Sequence, residues 1–271
     1  MKLGVNVPNF GPGTDPGVLR EWARIVEGLG FDLLMMSDHV TVTADVAQRY
    51  PEPFYEPFTT LSWLAGITTR LRLGTTVLIL PYRHPLLVAR MAGNLSQLSG
   101  GRFVLGVGAG WARQEFDALG VPFAERGRLT DECLQVLRDQ EPEGKADGMK
   151  PAAVWVGGNS AAAIRRTVRW GDAWHPLGVP LSQLRSTVAS HSLPGFAPRI
   201  ALRLTTDAAG DPDLPGIGTV DKILDDLEQL RLLGADTVVL DPYHGDPEET
   251  RRPRAAWQAL TAVATQWRTS P

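Results

Sequence analysis

Eight short apolar runs, each followed by a helix-like stretch, constrain this chain more than any single motif in it. The runs are Leu3–Val7, Phe31–Ser37, Leu71–Leu80, Phe103–Val107, Val154–Gly157, Asp172–Trp174, Ile200–Leu204 and Thr237–Leu240. Most are continuous rather than alternating, which is how strands read when both faces are buried. The stretches between them carry helix punctuation. In "DPGVLREWARIVEGLG", Asp15 can cap, Pro16 takes the first helical position and Gly30 stops the helix. Repeated strand–helix units build a parallel sheet, and eight of them predict a closed α/β architecture, the (β/α)8 or TIM barrel. An open doubly wound sheet would normally show G-x-G-x-x-G after its first strand, and this chain reads "PNFGPGTDPG" there. The length of 271 residues suits one such domain spanning 1–271, because a barrel takes about 250.

Charge and composition exclude several functions. A net charge of -3 leaves no basic footprint for phosphates, so nucleic acid is not an expected partner. No apolar run approaches the ~20 residues of a membrane span. The opening "MKLGVNVPNF" is interrupted by Pro8 and Gly11 too soon for a signal peptide, and a cytoplasmic location is expected. The one cysteine, Cys133, reads as a small hydrophobe on the buried face of a helix. The histidines are scattered singly and there is no cysteine pair, so no metal site is expected. There is no G-x-S-x-G elbow either, which removes the usual acyl-transfer nucleophile. Two connections are long. "DHVTVTADVAQRYPEPFYEP", with its prolines and aromatics, reads as an ordered lid. "DQEPEGKADGMKPA" reads as a polar surface loop.

A barrel of this kind places its chemistry at the C-terminal ends of the strands. Those ends offer Asn6 and Asn9, Asp38 and His39, Thr76 to Leu80, "GVGAGW", "GGNS", Trp174 and His175, then Asp241, Tyr243 and His244. Glycine-lined floors, aromatics and few acids suit a flat ligand that carries a phosphate, with the chemistry supplied by a cofactor. In "VWVGGNSAAAIRR", Gly157 and Gly158 allow close backbone approach. Asn159 or Ser160 can cap the next helix, whose N-terminus would seat a phosphate. A tight turn with an ordinary cap explains the same residues equally well. Gly106, Gly108 and Gly110 pose the same choice between a smooth floor for a ring and simple turning. His39 follows the apolar "LLMMSD" and stands beside Asp38, which makes it a candidate proton donor or acceptor.

The succession "SDHV", "RLRLGTTVLILPYRHPLLVAR", "LSGGRFVLGVGAGW", "FAERGRLTDECLQVLR", "VWVGGNSAAAIRR", "WGDAWHP" and "VDKILDDLEQLRLLGADTVVL" resembles the bacterial luciferase-like superfamily. It is most similar to the actinobacterial branch of oxidoreductases that use the deazaflavin coenzyme F420. The resemblance covers nearly the whole chain. It implies a deazaflavin or FMN at the C-terminal face of the barrel, against a bulge in strand three that often carries a cis peptide, here at Thr76–Val77. His39 would be the active-site histidine and Asp38, Thr76 and Val77 cofactor contacts. Gly106, Gly108 and Ala109 would add backbone contacts, and Gly158, Asn159 and Ser160 would hold the phosphate. Tyr50, Phe54, Tyr55, Trp111 and Trp174 are expected to form an aromatic pocket for a small, partly apolar substrate. Two departures are visible. Trp111 stands where the family's sugar-phosphate dehydrogenases place an acid. The usual insertion between helix four and strand five is shortened to "QEPEGKADGMKPAA". The expected reaction is hydride transfer between F420 and an organic substrate. An FMN-dependent monooxygenase is the alternative, and a non-catalytic or cofactor-less paralogue is a third reading. The family often dimerises, so a homodimer is an open expectation.

Overall fold

The computed structural model describes residues 1–140, 152–206 and 211–267. The expected polar loop after the fourth barrel helix, and with it most of the shortened insertion, lies outside them. The strands are β1 (Lys2–Asn6), β2 (Leu33–Met36), β3 (Arg72–Thr75), β4 (Leu78–Ile79), β5 (Phe103–Gly108), β6 (Ala153–Gly157), β7 (Ala173–His175), β8 (Arg199–Ala201), β9 (Arg203–Leu204), β10 (Ile217–Gly218) and β11 (Thr237–Asp241). The helices are α1 (Pro16–Gly28), α2 (Ala44–Ala47), α3 (Pro57–Ala65), α4 (Pro85–Leu98), α5 (Arg113–Ala118), α6 (Arg126–Asp139), α7 (Ala161–Trp170), α8 (Leu181–Ser190), α9 (Val220–Leu232) and α10 (Pro253–Trp267).

All pairings in the main sheet are parallel, and β1 closes on β11 with Lys2 opposite Thr237. The seam between β7 and β8 is joined by two parallel bridges, Trp174 to Phe196 and Leu177 to Arg199. The result is the eight-stranded barrel that the buried strand pattern predicts. Burial on both faces is visible in the core itself. Leu33, Met35, Val104, Trp155, Ala173 and Val239 fill the barrel interior. Their strand neighbours Leu34, Met36, Phe103, Leu105, Val154, Val156, Trp174, Val238 and Leu240 pack outward with the helices. Successive residues on a strand face opposite ways, so one apolar run serves two layers.

Two expected strands are each broken in two, for different reasons. The run Leu71–Leu80 becomes β3 and β4. Leu73 pairs with Phe103, an offset of 30 residues, whereas Leu78 pairs with Val107, an offset of 29. One extra residue is therefore accommodated between them, which is a bulge. The peptide Thr76–Val77 within it is cis. The run Ile200–Leu204 leaves the barrel after Ala201. Arg203 and Leu204 are exposed and pair with Ile217 and Gly218 in a separate two-stranded sheet.

The connection from Asp38 to Pro57 is ordered. It contains α2 and is fastened to the loop after β1: Phe54 bridges Phe10, Tyr55 N donates to Asn9 O, and Gly11 N donates to the carbonyls of Pro51 and Pro53. The lid thereby arches over the C-terminal end of the barrel.

Candidate functional site

The C-terminal end of the barrel holds a cavity of about 390 Å³. His39 enters it from the end of β2, buried at 6% exposure. Its Nδ1 lies 2.6 Å from Oε2 of Glu115 on α5, a carboxylate with no solvent exposure. Glu115 also accepts from Val40 N at 2.6 Å, Thr41 N at 3.2 Å and the Tyr82 hydroxyl at 2.9 Å. Burial would raise the carboxyl of Glu115. The hydrogen bond and charge of His39, with the amides of Thr41 and Val40, outweigh it and hold the group below its ordinary value. The Tyr82 hydroxyl is pushed upward by burial and by the neighbouring Glu115, so it stays protonated and donates. An ionised carboxylate can only accept, so Nδ1 of His39 carries a proton and Nε2 is left for the cavity.

Beneath the cavity lies a polar network that joins the inward faces of β1, β7, β8 and β11 to the bulge at the end of β3. Asp241 receives Arg199 Nε at 2.9 Å, Arg199 Nη2 at 2.5 Å and Asn6 Nδ2 at 3.0 Å. Arg199 Nη1 also donates to the carbonyl of Thr76 at 2.9 Å and to its hydroxyl at 3.2 Å. His175 Nε2 is 2.9 Å from Thr76 Oγ1, and its Nδ1 is 2.5 Å from the carbonyl of Ala197. Ala197 O can only accept, so His175 donates through Nδ1 and accepts the Thr76 hydroxyl at Nε2. Burial pushes His175 down to about 4 against the bond to Ala197, and Arg199 adds to the lowering, so the ring is neutral. The bulge at Thr76 is thus tied from below by an arginine and a neutral histidine.

The two glycine stretches have distinct explanations. A Cβ on Gly108 would meet Val77 Cγ2 at 2.6 Å, and one on Gly157 would meet Val77 Cγ1 at 2.6 Å. Both glycines make room for the Val77 side chain, which itself lines the cavity there. Gly158 has φ +111, so its glycine is required by the backbone before any ligand is considered. Ser160 caps α7 by accepting from Ala163 N at 3.2 Å. Asn159 is spent on the chain itself: Nδ2 donates to Leu177 O at 2.9 Å and Oδ1 accepts Leu177 N at 3.2 Å. Among the described residues, the amides of Asn159, Ser160, Ala161 and Ala162 have no protein acceptor. Arg166, one turn further along α7, also lines the cavity.

Of the residues expected at the site, Asp38, His39, Tyr50, Thr76, Val77, Gly108, Ala109, Trp111, Gly158, Asn159 and Ser160 line this cavity. Four do not. Gly106 lies two residues lower on β5, where a Cβ would fall 2.0 Å from Thr75 O, so it serves strand packing. Trp174 is outward-facing and buried, stacks on Phe196 at 5.6 Å and donates Nε1 to Gly158 O at 2.9 Å. Tyr55 packs against the outer core. Phe54 reaches His39 from behind, edge to face at 5.4 Å, and stacks on Phe10 at 5.6 Å. Tyr50 stacks on His39 at 5.5 Å and Trp111 meets it edge-on at 5.9 Å. Asp38 turns its carboxylate away from the cavity, accepting Ile79 N at 2.8 Å and both terminal nitrogens of Arg83 at 2.7 and 2.8 Å.

Sequence reasoning missed Glu115, Tyr82, Arg83 and Arg199. Glu115 is the telling omission. The acid looked for directly after the strand-four glycines is replaced by Trp111, but one arrives four residues later and sits behind His39.

Residues 1–192 match the family of luciferase-like monooxygenases. The chain belongs to that family. An uncharacterized protein of Mycobacterium tuberculosis is 33% identical over 180 residues, which is 56% of this luciferase-like chain and 62% of the relative. The match therefore spans about three-fifths of that relative's length. Among solved structures, the coenzyme F420-dependent tetrahydromethanopterin reductase of Methanopyrus kandleri aligns over 97% of both chains, with a TM-score of 0.70 and 17% identity. The oxygenating constituent of 3,6-diketocamphane monooxygenase of Pseudomonas putida, a type II Baeyer-Villiger monooxygenase in complex with FMN, aligns over 97% of both chains, with a TM-score of 0.73 and 17% identity. At such identities the likeness is one of fold. Among the described residues there is no cluster of three or more possible metal ligands, and no helix is long and apolar enough to cross a membrane.

The neutral His175 predicts a pH dependence of stability. The unfolded chain takes up this proton near 6.5 and the folded protein only near 4, so stability falls as pH drops through that window. The full effect is roughly 3 kcal/mol. Urea denaturation from pH 7 to 4 should show a shallower loss for His175→Gln, whose amide can still donate to Ala197 O and accept from Thr76.

Proposed function

We propose that this luciferase-like chain is an oxidoreductase that binds coenzyme F420 at the barrel mouth and acts on a small, partly apolar organic substrate. The observation that carries the reading is a single juxtaposition. One cavity is bounded by a histidine whose free nitrogen is fixed by a buried carboxylate, by a wall of Val77 set between two glycines, and by a helix N-terminus with unsatisfied amides. The volume of about 390 Å³ lies within the range of small-molecule sites.

These residues fit a flat ring bearing a phosphate. The open amides at the start of α7 would hold the phosphate through hydrogen bonds and the helix dipole, and Arg166 behind them is itself paired with Asp131. Gly108, Gly157 and Val77 would set the wall behind the ring. The bound deazaflavin would supply two-electron chemistry. His39, directed by Glu115, would give or take at Nε2 the proton that accompanies substrate oxidation or reduction. Glu115 would stabilise the imidazolium formed when Nε2 gains a proton and keep the ring from turning. Tyr50 and Trp111, which touch His39 and line the cavity, would exclude water and favour an apolar substrate. The description of the family as monooxygenases favours a second reading, in which FMN occupies the same seat and the reaction consumes oxygen.

Native mass spectrometry with F420 and FMN offered separately distinguishes these readings. Retention of F420 alone is expected, retention of FMN alone selects the second reading, and retention of neither overturns both. Ser160→Asp keeps a helix cap but adds a negative charge to the seat. It should weaken cofactor binding at least tenfold, about 1.4 kcal/mol, with no loss of thermal stability. Unchanged affinity would reduce the two glycines to a turn. His39→Asn should retain cofactor and lose about 10²-fold or more in turnover. Near-native turnover would remove His39 from the mechanism, and a parallel loss of affinity would make it a ring-positioning residue.

A further inference from the structure

A second cavity, of about 520 Å³, lies between the strand ends of β8 and β11 and the first turns of α10. It is larger than the barrel-mouth cavity and shares no lining residue with it. The proposed reaction makes no use of it. Its wall is mostly apolar, with Trp22, Leu202, Leu204 and Pro242 facing Ala256 and Ala259 of α10. The two alanines, three residues apart on one helical face, account for the space: larger side chains there would fill it.

The charges at this cavity are unbalanced. Arg203 and Arg252 belong to its lining and are exposed at its edge. Among the described residues neither guanidinium has an ion-pair or hydrogen-bond partner. That is unlike Arg83, Arg102, Arg166 and Arg199, which are all engaged. The one acid in the lining, Glu249, has Oε2 committed to the amide of His244 at 2.7 Å. Burial lowers His244 below the ordinary imidazole value, Glu249 and Asp241 oppose the lowering, and Arg203 adds to it. An apolar hollow edged by two free guanidiniums matches a molecule with an apolar body and a carboxylate head, since guanidinium pairs with carboxylate through two parallel hydrogen bonds.

We propose that this cavity is a second small-molecule site, for an amphiphilic carboxylate, distinct from the site around His39. Its inner wall is Tyr243, whose ring meets Phe10 edge-on at 4.9 Å and approaches Tyr50 at 6.1 Å. Tyr50 in turn stacks on His39. The Tyr243 hydroxyl donates to the carbonyl of Arg49 on the lid. An occupant of the second cavity would therefore rest against the same aromatic group that covers His39.

Octanoate is a suitable probe, with octanol and octylamine as uncharged and cationic controls, in isothermal titration calorimetry on the full chain. Octanoate should bind one-to-one with a dissociation constant below about 1 mM, well within what its size allows. Both controls should bind at least tenfold more weakly. Arg203→Ala combined with Arg252→Ala removes surface side chains only and should weaken octanoate at least tenfold. Ala259→Phe should block it by filling the hollow. Ser160→Asp, which alters the other cavity, should leave octanoate affinity unchanged. Absence of saturable binding, or affinity unaltered by the double arginine replacement, would overturn the proposal. So would a loss of octanoate binding in Ser160→Asp, because it would place the anion at the barrel mouth.

Discussion

The bond between His39 and Glu115 is the interaction on which the site depends. A carboxylate with no access to water is costly unless its lone pairs are taken up. Here four donors converge on it: one imidazole, two successive amides and a tyrosine hydroxyl. The two amides belong to Val40 and Thr41, so the same carboxylate fixes the backbone that turns out of β2 and the ring one residue before it. The side chain that orients the histidine also builds the loop that carries it. Losing the carboxylate would release both at once.

A second constraint shapes the opposite wall. One extra residue in strand three pushes Val77 toward β5 and β6, and those strands answer with Gly108 and Gly157. Arg199 and a neutral His175 tie Thr76 from below, and Asp241 with Asn6 anchors Arg199. Five strand ends thus share one polar layer across the barrel, directly under the cavity. The cavity floor rests on buried, mutually paired side chains, whereas the aromatic roof belongs to a lid held by backbone bonds to the loop after β1 and by the side chains of Glu115, Asn9 and Tyr243.

The sequence made the barrel legible because each strand is a continuous apolar run feeding two cores. The strand ends it singled out meet around one cavity, which eleven of the expected site residues line. It erred on individual side chains where a single residue decides which way a chain faces. Trp174 and His175 are neighbours on β7, and the histidine enters the cavity while the tryptophan joins the outer core. Phe54 and Tyr55 divide in the same way, one toward His39 and one away. Gly106 and Gly108 share a face but sit about 7 Å apart along the strand, and only the upper one reaches the cavity. Glu115 was invisible because nothing in "WARQEF" distinguishes a buried acid from a solvated one. Its partner is 76 residues away, and only the closed barrel brings them together.

The chemistry of the site depends most directly on which ring nitrogen of His39 faces Glu115 with a proton. Nitrogen-15 NMR of histidine-labelled protein at pH 7.5 reads the two ring nitrogens separately, and His39→Asn assigns the signals by their disappearance. The structure predicts an Nδ1 that carries a proton, held in the bond to Glu115. Glu115→Gln should release that order and yield mixed tautomers. A His39 signal with the proton on Nε2, or one indifferent to Glu115→Gln, would contradict the account.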